Sequence, residues 1–171
     1  PSAEEDGYFL LLSSPKVNWL DEQRTTKNVI CVFDRSGSMA GKKFEQAKRA
    51  LEFVLNNLNP GDQFNLIAYD TEVELFRPQI QPYSEEDRQS AVQFVQGLYA
   101  GGGTNIDGAL QAAFQQFPSD GNPNYLLFMT DGRPTIGETD ENKLLQLVQQ
   151  SNTSTARLFN FGVGFDVNSR L

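Results

Sequence analysis

Asp34, Ser36 and Ser38 stand at alternate positions of the segment DRSGSM (34–39), directly after the apolar run NVICVF (28–33). A carboxylate and two hydroxyls at that spacing in a tight turn can converge on one point, as oxygen ligands do around a hard cation. Two more oxygen donors follow at other loops: Thr104 after the glycines of AGGG (100–103), and Asp131 at the end of YLLFMT (125–130). Mg²⁺ suits such a set, because it takes oxygen ligands in octahedral geometry and keeps several waters. Asp34 and Asp131 balance a divalent ion, while Ser36, Ser38 and Thr104 add neutral oxygens. A site so sparing of negative charge leaves the ion able to accept one anionic oxygen from outside. The chain has no histidine and one cysteine, Cys31, which turns the preference away from zinc and copper.

Other chemistries fit less well. A Walker A loop needs Gly-x4-Gly-Lys-Ser/Thr, but Gly37 and Gly41 are too close and Lys42 is followed by Lys43. The dinucleotide pattern G-x-G-x-x-G is absent. A nucleophile elbow needs G-x-S-x-G and a base, whereas SGSMAG has the wrong spacing and no histidine can activate Ser38. An aspartyl phosphotransferase wants a second aspartate two residues after the first, and Ser36 stands there. The reading is therefore non-enzymatic.

These donors must be held by a scaffold, and the pattern of the chain supplies one. NVICVF, FNLIAY (64–69) and YLLFMT are strand-length apolar runs, as expected of strands covered on both faces. VELF (73–76) reads as a short edge strand turned back on FNLIAY. Between them, residues 41–58 place Phe44, Ala47, Leu51, Val54 and Leu58 on one helical face, with Lys42, Glu45, Lys48, Arg49 and Glu52 opposite. Pro60-Gly61 stops that helix. Ser84 with Asp87 caps a second, whose inward residues are Ala91, Val92, Phe94, Val95 and Leu98. A third carries Ile106, Ala109, Leu110, Ala113, Phe114 and Phe117. A fourth carries Leu144, Leu145, Leu147 and Val148, and RLFNFGV (157–163) reads as the last strand. Strand–helix alternation of this kind predicts an α/β fold: a doubly wound, mostly parallel central sheet with one short antiparallel edge strand and helices on both faces. Ligands of such sheets bind beyond the C-terminal ends of the strands, where strand order reverses. The segments at 34–38 and 131 follow strand ends of that kind.

The 171 residues fit one domain. With 14 basic against 22 acidic residues the net charge is −8, which argues against nucleic acid, whose capture rests on Lys and Arg. It also disfavours anionic membrane surfaces. No run approaches the ~20 apolar residues of a membrane span, so direct membrane insertion is not expected. Cys31, inside NVICVF, reads as a buried, inert thiol.

DRSGSM, GGGTN and TDG together resemble the three segments of the metal-ion-dependent adhesion site of von Willebrand factor A domains, also called integrin I domains, which have a Rossmann-like fold. D-x-S-x-S at 34–38, Thr104 and Asp131 occur in the right order at suitable separations. KNVICVFDRSGSM, LNPGDQFNLIAYD, GGGTNIDGAL, TDGRPTIGE and FNFGVGFDVN look most like the A domain of inter-alpha-trypsin inhibitor heavy chains and their bacterial relatives. GYFLLLSSPK near the start resembles the lead-in of that group. The resemblance implies an N-terminal strand and connector over 1–26 and an A domain over 27–171 that stops before the family's final helix. It implies that Ser36 and Ser38 bind Mg²⁺ or Mn²⁺ directly, ahead of Ca²⁺. Thr104 and Asp131 would bind directly or through water, and Asp34 mostly through water while holding the serine loop. It further implies a cell-adhesion or other protein-binding role, a partner presenting an Asp or Glu carboxylate, and a secreted or cell-surface setting. The alternative is a structural or assembly scaffold with a vacant or purely structural motif.

Plainer roles stand beside these. Asp34, Ser36 and Ser38 also match a cap for the helix from Lys42, and Thr104 with Asp107 matches a capping box for the third helix. Asp107 reads as structural or as a support behind the ligands, and Asp62 as a turn residue. Gly103 and its neighbours Gly101 and Gly102 suit a loop that approaches an ion closely or adopts positive φ. Arg35 and Arg133 flank the site as solvated charges or as aids to a docking carboxylate. Asn152-Thr153-Ser154 matches a glycosylation sequon, read as a chance occurrence.

Overall fold

The computed structural model describes residues 25–163; the expected strand at 8–12, most of the connector and residues 164–171 lie outside them. In chain order, β1 (Asn28–Asp34) runs through a 3₁₀ turn (Gly37–Met39) into α1 (Lys42–Asn56), and β2 (Gln63–Tyr69) is followed by β3 (Val73–Leu75) and β4 (Gln81–Pro82). α2 (Glu85–Gly97) and α3 (Ile106–Phe114) precede β5 (Asn124–Thr130), and α4 (Glu141–Ser151) leads to β6 (Arg157–Gly162).

The sheet order is β3-β2-β1-β5-β6, with β4 paired to β2 beside β3. β1, β2, β5 and β6 are parallel, and β3 and β4 run antiparallel to β2. All seven residues of β1 are buried, because it is the central strand and has helices on both faces. Alternation along the strands divides the core in two. Val29, Cys31 and Phe33 pack with Phe44, Ala47, Leu51 and Leu55 of α1 and Ala91 and Val95 of α2. Ile30 and Val32 face Ile106, Ala109, Leu110 and Ala113 of α3 and Leu144 of α4. The chain leaves β1 toward β2 and later returns to β5 on the other side. Strand order therefore reverses between β1 and β5, and the register sets Asp34 beside Tyr69 and Phe33 beside Met129. No helix among the described residues is long and apolar enough to cross a membrane.

Three local assignments differ from expectation. Lys48, placed on the polar side of α1, is only 7% exposed. Its ammonium donates to the carbonyls of Gln96 (3.0 Å) and Leu98 (2.7 Å), so it satisfies orphan acceptors at the C-terminal end of α2. α3 is capped by Asn105, whose side chain accepts from Gly108 N at 3.0 Å, and not by Thr104. Asp62 is more than a turn residue. It is buried and accepts from Asn59 N (2.9 Å) and from both the backbone (3.2 Å) and ammonium (2.5 Å) of Lys27. The Ser84 cap of α2 is present, accepting from Asp87 N at 3.0 Å. Asn152 closes α4 by exchanging two hydrogen bonds with the backbone of Ala156, so the sequon asparagine has a structural role.

Cys31 is 2% exposed, and burial pushes its thiol up to about 12. The folded protein should not react with an aromatic disulfide reagent at pH 8. After denaturation one thiol per chain should react, which colorimetric titration reads directly.

Candidate metal centre

Four loops meet above the C-terminal ends of β1, β2 and β5, and main-chain hydrogen bonds lace them together. Arg35 N donates to Tyr69 O (2.8 Å), Gly101 N to Arg35 O (2.8 Å) and Gly37 N to Gly102 O (3.1 Å). Asn105 N donates to Asp70 O (2.8 Å), and Thr104 O accepts from Thr135 N (3.0 Å) and Ile136 N (3.2 Å). The glycines make this closeness possible. Gly102 has φ +76°, and a Cβ on Gly103 would lie 2.8 Å from Ile136 Cγ1. Gly103 N also donates to Thr71 Oγ1 at 2.9 Å.

Asp34, at the end of β1, is fully buried. Its Oδ1 accepts from Ser36 N (2.8 Å) and its Oδ2 from the Thr130 hydroxyl (2.6 Å). Burial raises its carboxyl above the ordinary value, the hydrogen bonds from Thr130 and Ser36 oppose that rise, and the charge of Asp131 adds to it. Asp34 thus fixes the serine loop with the lone pairs facing Ser36 and Thr130. Beneath it Tyr69 is stacked on Phe128, with its phenol well above its ordinary value because of burial. The Tyr69 hydroxyl is buried close to Thr130 and Asp34, without a well-formed hydrogen bond among the described residues.

The Ser38 hydroxyl turns to Asp131, and the Ser36 hydroxyl to Ser38. Ser38 Oγ donates to Asp131 Oδ1 at 2.7 Å, so the proton between Ser36 Oγ and Ser38 Oγ (3.0 Å) comes from Ser36. Asp131 Oδ2 accepts from the ammonium of Lys43, on the first turn of α1. Thr104 is buried on the loop that follows α2, its backbone amide held by Thr135 Oγ1 at 2.8 Å.

Adjacent oxygens of an octahedral Mg²⁺ shell, with ligands at about 2.0–2.1 Å, lie about 2.9 Å apart. The Ser36–Ser38 and Ser38–Asp131 separations, 3.0 and 2.7 Å, are ordinary hydrogen-bond lengths that an ion could take over with little movement of the oxygens. Among the described residues no group of three or more Asp, Glu, Cys and His side chains is gathered for a metal. Any ion held here therefore depends on hydroxyl oxygens. The donor set is hard and oxygen-only, and it fits Mg²⁺ or Mn²⁺.

The flanking residues sort differently. Arg35 is tied down: its Nε lies 3.0 Å from Asp70 Oδ2, its Nη1 2.5 Å from Glu74 Oε2, and its guanidinium sits 5.9 Å from the ring of exposed Tyr99. Arg133 is exposed, with no ion pair among the described residues. Asp107 accepts from Gln111 one turn along α3. Lys43, Thr130 and Thr135 were not singled out from sequence. Nothing in a linear pattern marks Lys43 as facing a loop 88 residues away.

Residues 27–170 match the model of the von Willebrand factor type A domain. Among characterised proteins, inter-alpha-trypsin inhibitor heavy chain H4 of Homo sapiens is 39% identical over 174 residues, covering 96% of this chain and 18% of that protein. Heavy chain H1 of Homo sapiens is 35% identical over 150 residues, covering 83% of this chain and 16% of its own length. The chain therefore spans less than a fifth of these relatives. Among solved structures, a von Willebrand factor type A protein from Catenulispora acidiphila superposes with a TM-score of 0.71 at 24% identity, over 84% of this chain and 34% of that one. Proximal thread matrix protein 1 from the mussel byssus, with a zinc-occupied MIDAS motif, superposes with a TM-score of 0.65 at 16% identity, over 84% of this chain and 39% of that one.

Proposed function

Because the chain belongs to the von Willebrand factor type A domain family, we propose that it is a non-enzymatic, divalent-cation-dependent protein-binding domain whose metal site captures a partner's carboxylate. The observation that carries this reading is the meeting of the Ser36, Ser38 and Asp131 oxygens beyond the C-terminal ends of β1 and β5, at the point where strand order reverses. Ser36 and Ser38 would hold the ion with Thr104 and Asp131, while Asp34 keeps the serine loop in place from below. Bound Mg²⁺ or Mn²⁺ would supply a Lewis-acidic position for an anionic oxygen.

Charge supports the choice of partner. Asp34 and Asp131 together match the charge of a divalent ion, so the loaded site would carry no excess negative charge to repel an incoming carboxylate. The open position on the ion would then accept one oxygen of an Asp or Glu side chain. Arg133, exposed on the loop after β5, would aid the same carboxylate, whereas Arg35 is committed to Asp70 and Glu74. The domain assignment over 27–171 belongs to this proposal, as does a secreted or cell-surface setting.

The internal chain from Ser36 to Lys43 also favours a second reading, a scaffold domain whose motif is structural. Calorimetry with Mg²⁺ and Mn²⁺, followed by partner retention with and without EDTA, separates the two. The proposal expects saturable ion binding and partner loss on chelation. Partner binding that survives EDTA belongs to the scaffold.

A further inference from the structure

Resting on that reading of the site, we infer that Lys43 sets the site's affinity for its cation by competing with it for the charge of Asp131. Asp131 has a side chain only 3% exposed, and its two oxygens have different uses. Oδ1 faces the serine hydroxyls at 2.7 Å and belongs to the oxygen cluster. Oδ2 carries the ammonium of Lys43.

The lysine is held there by the fold. α1 begins at Lys42, and the next residue after Lys43, Phe44, is buried against Phe33 with ring centroids 5.2 Å apart. That packing fixes the first turn of the helix directly beside the serine loop. Lys42, its neighbour, is exposed and makes no contact with Asp131. The pairing is thus specific to one of two adjacent lysines.

Two effects of Lys43 oppose each other. Its hydrogen bond helps orient the Asp131 carboxylate, which favours ion binding. Its positive charge, next to a nearly buried carboxylate, repels a second cation at short range and weakens the attraction Asp131 exerts. The orienting effect has a substitute, since Ser38 already fixes Oδ1 and the Ser36–Ser38 spacing does not involve Lys43. The charge effect has none, so charge decides the sign: Lys43 lowers affinity for the ion. It also selects. A monovalent ion offers Asp131 no more charge than the tethered ammonium does, while a divalent ion offers twice as much. Lys43, at 36% side-chain exposure, can move aside toward solvent when the stronger cation arrives.

The test is the Mg²⁺ isotherm, measured calorimetrically at fixed ionic strength, for the wild type and for Lys43→Met, Lys43→Gln, Lys43→Arg and Lys42→Met. Lys43→Met and Lys43→Gln should bind Mg²⁺ at least fivefold more tightly. Lys43→Arg, which keeps the charge, should stay within about twofold, as should Lys42→Met. Unchanged or weaker Mg²⁺ binding by both neutral Lys43 variants overturns the inference. So does an equal gain in Lys42→Met, which would assign the effect to bulk surface charge. If neither the wild type nor any variant binds Mg²⁺ or Mn²⁺, the metal reading of the site falls, and the inference with it. Thermal melts of each variant confirm that folded protein is being compared.

Discussion

Asp131→Ala should lower Mg²⁺ affinity about 100-fold or more, equivalent to about 2.7 kcal/mol, while leaving the fold intact. Asp131 supplies one of the two formal negative charges near the serine hydroxyls. A unit charge pair about 4 Å apart near a protein surface is worth ~4 kcal/mol, and more for a divalent ion, so the loss exceeds anything loop relaxation recovers. Asp131→Asn isolates the charge, because it retains an oxygen that Ser38 can reach. It should lose most of the affinity as well. The stability cost is small by comparison. Asp131 sits beyond the end of β5, and the groups it abandons, Ser38 Oγ and Lys43 Nζ, belong to residues that can reach solvent. Calorimetry and a urea melt on the same preparation read both quantities. Retention of Mg²⁺ affinity within threefold of wild type would remove Asp131 from the ligand set.

Phe33→Ala should have the opposite profile, a large loss of stability. Phe33 is 2% exposed, lies on the face of β1 covered by α1, and packs on Phe44. Deleting a buried phenylalanine ring typically costs about 3–5 kcal/mol, from lost transfer energy and the cavity left behind. Against a total stability of about 5–15 kcal/mol that is a large fraction, and it corresponds to a fall in melting temperature of about 10 °C. The residue precedes Asp34, and its ring positions the first turn of α1. Metal affinity should therefore weaken too, but only secondarily, through Ser36, Ser38 and Lys43. A Phe33→Ala protein that melts within 2–3 °C of wild type would mean that the α1 face of β1 can repack without cost.

The strands carrying the site were legible because each is an apolar run long enough for one buried strand and flanked by polar loop residues. β1, β2 and β5 fall within a residue of where NVICVF, FNLIAY and YLLFMT place them. β4 was not legible. Its two residues, Gln81 and Pro82, form an antiparallel pair with β2 that no period-2 pattern can announce. Lys48 was misplaced because helical periodicity assigns a face and not a depth. Its stem follows the apolar stripe while its ammonium reaches the carbonyls that end α2. At the site, the residue types and their order pointed to Asp34, Ser36, Ser38, Thr104 and Asp131. The structure joins four of them through direct hydrogen bonds, while Thr104 is buried on the adjoining loop with its backbone bonded to Thr135 and Ile136. The charge state of that site was not legible. Lys43 enters it from a helix whose rotation is set by Phe44 and Phe33, a long-range packing fact.

The laced rim has a kinetic consequence. The bonds between Gly37 and Gly102, Gly101 and Arg35, Asn105 and Asp70, and Thr104 and Thr135 order the loops when the chain folds, before any ligand arrives. Docking then costs little further conformational entropy. Encounter rates should accordingly vary little among carboxylate-bearing ligands, and discrimination should lie in residence time, in how long each remains on the site once seated.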